Sequence, residues 1–248
     1  MLRKFASALL PSSLKPTLFK ALSNVFDLYA TKSYSQEGED MILRRIFEGQ
    51  EHGFYVDVGA HHPRRFSNTN YFYRRGWHGI NIEPNPDAIR AFQSDRRRDT
   101  NLALGISNRA ETLTYHLFNE PALNTFDAAL VKSRLANTPY RLVKTIDIPV
   151  DLLANVLKKH LPIAQKIDFI SIDVEGWDLA VLESNDWQMF RPKCVLAEAL
   201  GNSLEETLRG DVFLFMKSQG YELVGKTFNT LIFREHADLK LGDQRVSQ

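Results

Sequence analysis

The chain has 248 residues, 44% of them hydrophobic and 25% charged, with a formal net charge of +1. That length suits one large α/β domain better than two small ones, and the apolar share is enough for a sizeable core. A charge so near zero removes any general electrostatic case for nucleic-acid binding, no run reaches the ~20 apolar residues of a membrane-crossing helix, and the single cysteine, Cys194, excludes an intrachain disulfide and weakly favours a reducing compartment.

The first thirty residues differ from the rest. They carry Arg3, Lys4, Lys15 and Lys20 against one acid, Asp27. The apolar run over 5–10 stops at Pro11, too short for a cleavable leader. Leu14, Leu18, Leu22, Val25 and Phe26 recur near helical spacing, so residues 1–32 are expected to form a basic amphipathic helical segment. Such a segment either docks on the main domain or makes peripheral contact with a membrane through residues 1–30. The main domain is expected over 33–238 and a polar tail over 239–248.

From there, strand and helix patterns alternate. Phe54-Tyr55-Val56-Asp57-Val58 is a compact apolar run closed by Gly59 and reads as a buried strand. A helix is expected over 67–75, a second strand over 79–83, a helix over 87–96 and a third strand over 101–106. The basic run Arg96-Arg97-Arg98 reads as a solvated face. A fourth strand covers 167–173, with a helix over 177–184. A fifth covers 195–199, with Cys194 beside it as a buried core residue, and a helix follows over 204–219. Strands at 221–224 and 230–234 flank a short polar turn and read as a hairpin. This alternation implies a parallel sheet covered on both faces. The expected class is α/β: a Rossmann-like, doubly wound, mostly parallel seven-stranded sheet with a C-terminal antiparallel hairpin. An insertion at about 108–150, with extended runs over 112–118 and 142–150, is read as a substrate-side cap over the carboxyl ends of the strands.

Three strand ends carry the chemistry. At the first, Asp57-Val58-Gly59-Ala60-His61-His62-Pro63 has one glycine where a dinucleotide fingerprint needs three. A carboxylate beside that glycine repels a phosphate and suits a cationic ligand. At the second, Glu83, in Ile82-Glu83-Pro84, can accept hydrogen bonds from both hydroxyls of a ribose. Two acids at adjacent strand ends, without a phosphate cradle, fit an adenosyl ligand with a charged amino-acid tail, which is S-adenosylmethionine. At the third, Asp173-Val174-Glu175-Gly176-Trp177-Asp178 places acids at the crevice of the sheet. Glu175 and Asp178 are equally suited to capping the next helix.

With these residues in place, the chain resembles the FkbM-type methyltransferase family. The matching segments are Tyr34-Ser35-Gln36-Glu37-Gly38-Glu39-Asp40, residues 54–63, Ser67-Asn68-Thr69, Gly76-Trp77, Asn81-Ile82-Glu83, Asn124-Thr125-Phe126 and Ile172-Asp173-Val174-Glu175-Gly176. Only the first thirty residues and the last dozen fall outside the resemblance. The resemblance implies S-adenosylmethionine as donor and O-methylation of a hydroxyl, often on a sugar or a glycosylated product. It implies Tyr34, Gln36, Asp57, Gly59, Ala60, Asn68, Glu83, Pro84 and Asp173 as cofactor-side residues. Ser35-Gln36 would fold over the methionine end of the donor. Where the broader family has a second glycine in the first loop this chain has Pro63, so its His61-His62-Pro63 loop reads as a distinct branch.

A sugar hydroxyl is a poor nucleophile and needs a base or a metal. The candidates for the catalytic group are Asp173, Glu175, Glu198 and His61. His62 is weighed beside His61, and both histidines could instead only shape the loop. Asp173 and Glu198 end adjacent strands and have donors for a hard divalent ion, but no metal is expected. The expected acceptor is a small molecule or a glycan, with no nucleic-acid partner. The expected setting is cytoplasmic, extending to the inner face of a membrane. Two rival readings stand beside this one. A nicotinamide-dependent oxidoreductase has the lone Gly59 against it, and a non-catalytic binding protein has the intact strand-end acids against it.

Overall fold

A computed structural model describes residues 29–199 and 203–237. The helical segment expected over 1–32 falls almost wholly outside the described residues, and the tail over 239–248 falls outside them entirely. The chain divides into two units, Met1–Ser33 and Tyr34–Gln248. In the first unit the described residues, 29–33, contain no helix or strand.

The second unit is built on a seven-stranded sheet ordered β3-β2-β1-β7-β8-β10-β9. Its strands are β1 (Phe54–Val58), β2 (His78–Ile82), β3 (Thr100–Leu102), β7 (Phe169–Ile172), β8 (Cys194–Glu198), β9 (Tyr221–Lys226) and β10 (Thr230–Glu235). The five strands from β3 to β8 run parallel, and β10 is antiparallel to both β8 and β9. This is the expected Rossmann-like class with its closing hairpin. Beyond β3 the chain crosses back past β1 to enter β7. The strand order therefore reverses between β1 and β7, which opens a crevice above their carboxyl ends.

Side-chain alternation fills both faces of the sheet. Phe54, Val56 and Val58 of β1 join Ile170 and Ile172 of β7 and Val195 and Ala197 of β8 in one core. It is covered by Leu153, Val156 and Leu157 of helix α5 (Leu153–His160) and by Val181 and Leu182 of α6 (Asp178–Glu183). Tyr55, Phe169, Cys194 and Leu196 point the other way, onto Leu43 of α1 (Glu39–Ile46), Phe47, Phe72 and Trp77. Burial of each strand on both faces is what makes β1 and β7 read as continuous apolar runs. The two polar residues on the second face, Asp57 and Ser171, are buried neighbours in register on β1 and β7.

Some elements differ from expectation. The stretch over 101–106 splits: β3 stays in the main sheet, while β4 (Gly105–Ile106) leaves it. A second sheet, ordered β4-β6-β5, is completed by β5 (Glu111–Phe118) and β6 (Leu142–Asp151). The helix expected over 67–75 shrinks to α2 (Asn70–Tyr73), because Ser67 and Thr69 turn their hydroxyls to the turn itself and to β1. The helix expected over 87–96 is α3 (Pro86–Asp95), started by the Asn85 cap and Pro86. The helix expected over 204–219 is two, α7 (Leu204–Thr207), opened by a Ser203–Glu206 capping box, and α8 (Asp211–Ser218). Sequence reading passed over α1, α5 and α4 (Ala128–Asn137), the last of these within the insertion. Arg96 is 1% exposed, so the basic run 96–98 is not a uniformly solvated face.

Candidate active site

The carboxyl ends of β1, β2 and β7, faced by residues of the second sheet and its loops, border a cleft that is partly open to solvent. Its floor is set by Gly59. The Gly59 backbone has φ +76, and a Cβ there would lie 1.8 Å from the Asp173 carbonyl oxygen. Only glycine lets the β1 loop pass this close to the end of β7. The glycine expected to admit a ligand therefore also admits the neighbouring strand.

Asp57 is a buried member of the cleft lining and accepts a 2.7 Å hydrogen bond from the Thr69 hydroxyl. Burial pushes its carboxyl up to about 6, against the opposing pull of Thr69 and of the Arg96 guanidinium. Glu83 ends β2 with both carboxylate oxygens engaged. One accepts from the His61 backbone N–H at 2.8 Å and the other from that of Asn85 at 2.7 Å. Each oxygen keeps a second lone pair for another donor. Burial outweighs these bonds and pushes the Glu83 carboxyl up to about 7.

His61 sits at the rim with its backbone at φ 54, its ring stacked on Phe66 at 6.1 Å between centroids. Its Nε2 is buried without a hydrogen-bond partner. Burial, and then the charges of Arg65 and His62, lower its imidazolium to about 4, so the ring is neutral at pH 7. His62 is a structural residue. Its Nδ1 accepts from the backbone N–H groups of Arg64 and Arg65, both at 3.0 Å. Asn68 donates to the Ser171 hydroxyl at 2.9 Å, tying the start of α2 to β7.

At the end of β7, solvent reaches Asp173. The enclosing cleft walls, and next the charges of Glu198, Glu175 and Asp178, nevertheless hold its carboxyl well above the usual range. Access of water moderates that push. Glu175 is paired with Arg134 of α4, whose guanidinium also donates to the Leu123 carbonyl at 2.6 Å. Asp178 resolves as a structural acid. It is buried and accepts from the Glu198 backbone N–H at 3.3 Å.

The cleft brings together Gln36, Asp57, Gly59, Ala60, His61, Asn68, Glu83, Pro84, Asp173 and Glu175. Two expected residues lie outside its lining. Tyr34 acts through its backbone: its N–H donates to Asp40 and its carbonyl accepts from Ser67 at 3.0 Å. Glu198 is close enough to Asp173 to affect its charge, but it lines an adjoining cavity with Thr207 and Asp211. Among the described residues, no group of three or more metal-binding side chains is arranged to hold an ion.

Sequence reading did not single out Tyr115 and Phe126, which also line the cleft. Tyr115 is central in β5 and Phe126 lies in the Asn124-Thr125-Phe126 motif. The period-2 pattern of 112–118 marked Tyr115 as one face of a strand, with nothing to say which face met the cleft.

A family model described as "Methyltransferase FkbM domain" matches residues 57–223. No curated protein matches the chain. Three similar solved structures are a TehB-like SAM-dependent methyltransferase from Corynebacterium glutamicum, a precorrin 8w decarboxylase from Methanobacterium thermoautotrophicum and an O-methyltransferase from Bacillus cereus in complex with SAH. The first is 11% identical over 91% of this chain and 100% of its own, with a TM-score of 0.39. The second is 12% identical over 82% and 92%, with a TM-score of 0.40. The third is 12% identical over 93% and 94%, with a TM-score of 0.41.

Proposed function

The chain belongs to the FkbM methyltransferase family, and on that premise we propose that it transfers the methyl group of S-adenosylmethionine to a hydroxyl of a sugar or glycan. One observation carries the choice of donor. Four carboxylates, those of Asp57, Glu83, Asp173 and Glu175, line the cleft, and among the described residues no lysine or arginine does. A pyrophosphate would meet only like charge there. A sulfonium with an ammonium tail would meet carboxylates at the strand ends and no cation in the lining. The cleft therefore fits S-adenosylmethionine and not a nicotinamide dinucleotide.

The bound donor supplies an activated methyl group, and the protein supplies alignment and a place for the acceptor's proton. Glu83 offers its free lone pairs to the ribose hydroxyls. Gln36, Asn68 and the backbone at Gly59 and Ala60 wall the rest of the donor site. Asp173 takes the proton from the acceptor hydroxyl. Calorimetry on the full chain tests the reading. S-adenosylmethionine is expected to bind and NAD is not; binding of NAD without S-adenosylmethionine overturns it.

A further inference from the structure

Tyr115 and Phe126 come from the insertion, and their two rings meet at a centroid distance of 4.6 Å and an interplanar angle of 43°. Both line the cleft that the four strand-end acids occupy. Neither ring is loosely held. Tyr115 is 6% exposed and packs with Leu117 and Ile148 of the second sheet. Phe126 lies against Gly105, where a Cβ would come within 2.8 Å of the ring edge. Its neighbour Thr125 donates its hydroxyl to the Glu175 carbonyl at 3.0 Å, so the loop bearing Phe126 is tied to the loop after β7. The Asn124 side-chain oxygen accepts from the Phe118 N–H at 2.8 Å.

A fixed aromatic corner opposite carboxylates has a definite preference. The face of an aromatic ring attracts a desolvated cation more strongly than the neutral thioether of the same shape, which keeps only a weaker sulfur–aromatic contact. Burial, and then Glu83 and Glu175, hold the Tyr115 phenol far above its ordinary value, so its ring stays neutral. The methyl donor carries a positive sulfur and its product, S-adenosylhomocysteine, does not. We propose that the Tyr115–Phe126 corner is the element of this cleft that distinguishes the charged donor from its neutral product, favouring donor binding before transfer and product release after it. This rests on the donor reading above.

The test is calorimetric, with S-adenosylmethionine and S-adenosylhomocysteine titrated separately into the full chain. In Phe126→Leu and Tyr115→Leu, donor affinity is expected to fall about three- to tenfold, the range of one cation–π contact. Product affinity is expected to fall by a smaller factor, so that the ratio of the two affinities drops. Tyr115→Phe, which keeps the ring, is expected to keep the wild-type ratio of the two affinities. An unchanged ratio in both leucine variants overturns the proposal, whether the affinities hold or fall together. If the leucine variants do not fold, stepwise fluorination of the phenylalanine at position 126 alters ring charge with little change of shape. Donor affinity should then weaken with each fluorine more than product affinity does, and parallel behaviour of the two overturns the proposal. A wild-type chain that binds neither compound refutes the donor reading itself, and does so before any variant is made.

Discussion

Four acids meet around the end of β7, yet their side chains are committed differently. Glu175 is held by Arg134, and Asp178 is buried with its carboxyl on the Glu198 backbone N–H. Glu198 belongs to the adjoining cavity, and its carboxyl, pushed up to about 8 by burial and then by Glu175 and Asp178, is protonated at pH 7. His61 is neutral, but with its imidazolium lowered to about 4 it is a weak base. Asp173 lines the cleft, reaches solvent and, unlike Glu175, is not held by an arginine, which leaves its carboxyl available to an acceptor hydroxyl. Asp173→Asn is expected to lower turnover about 10²- to 10⁴-fold, the usual contribution of a positioned base. The fold should tolerate the change, because removing one of several crowded negative charges relieves repulsion. Single-turnover methyl transfer and calorimetry with S-adenosylmethionine are the measurements. Turnover and donor affinity both near wild type would sink the assignment.

The loop from β1 to α2 takes its shape from α3. Arg96, the residue capping the C-terminus of α3, donates through Nε and Nη2 to the Pro63 carbonyl at 3.1 and 2.7 Å. It also reaches the Tyr55 hydroxyl at 3.0 Å and the Ser67 hydroxyl at 3.1 Å. A planar fork spans these acceptors and a lysine ammonium cannot. Arg96→Lys is expected to cost about 3 kcal/mol, as for a broken buried polar cluster. That corresponds to a melting point lower by about 6–12 °C for a chain of this size. The exposed neighbour serves as control, since Arg97→Lys should leave stability within about 0.5 kcal/mol. Thermal melts of both variants check this, and equal melting points would refute a special role for Arg96. None of this was legible locally, because the partners of Arg96 lie about thirty to forty positions upstream. The helix α4 was hidden for another reason: of its ten residues only Val131 is buried, so it shows no apolar stripe. Leu153, Val156 and Leu157 of α5 do show helical spacing, and that signal was there to be read. By contrast, Asp57, Gly59, Glu83 and Asp173 stood out because each interrupts or closes an apolar strand. Tyr115 and Phe126 did not, since the second sheet meets the first only through tertiary packing.

A cleft lined with buried acids couples the stability of the whole molecule to what it binds. In the folded chain the carboxyls of Glu83 and Asp178 lie at about 7 and that of Asp57 at about 6, all raised chiefly by burial. In an unfolded chain all three lie near 4. The folded state therefore keeps protons that the unfolded state has released. The stability these acids contribute is full below about pH 4 and is lost as pH rises through 6 and 7. Glu198, at about 8, adds to the same trend. His61 acts in the opposite sense, because its folded value of about 4 lies below the unfolded one, but above about pH 6.5 it is largely neutral in both states. The window from pH 6.5 to 7.5 thus isolates the acids, and ligand-free stability should fall across it by on the order of 2–3 kcal/mol. A cationic ligand binds ionised Asp57 and Glu83 best, so donor binding draws protons off these two cleft acids. Thermal melts at the two pH values, with and without saturating S-adenosylmethionine, should show the ligand-free midpoint falling and the ligand-induced rise growing. A ligand-induced rise that is constant or shrinks with pH would show that the cleft acids do not face the donor's positive charge.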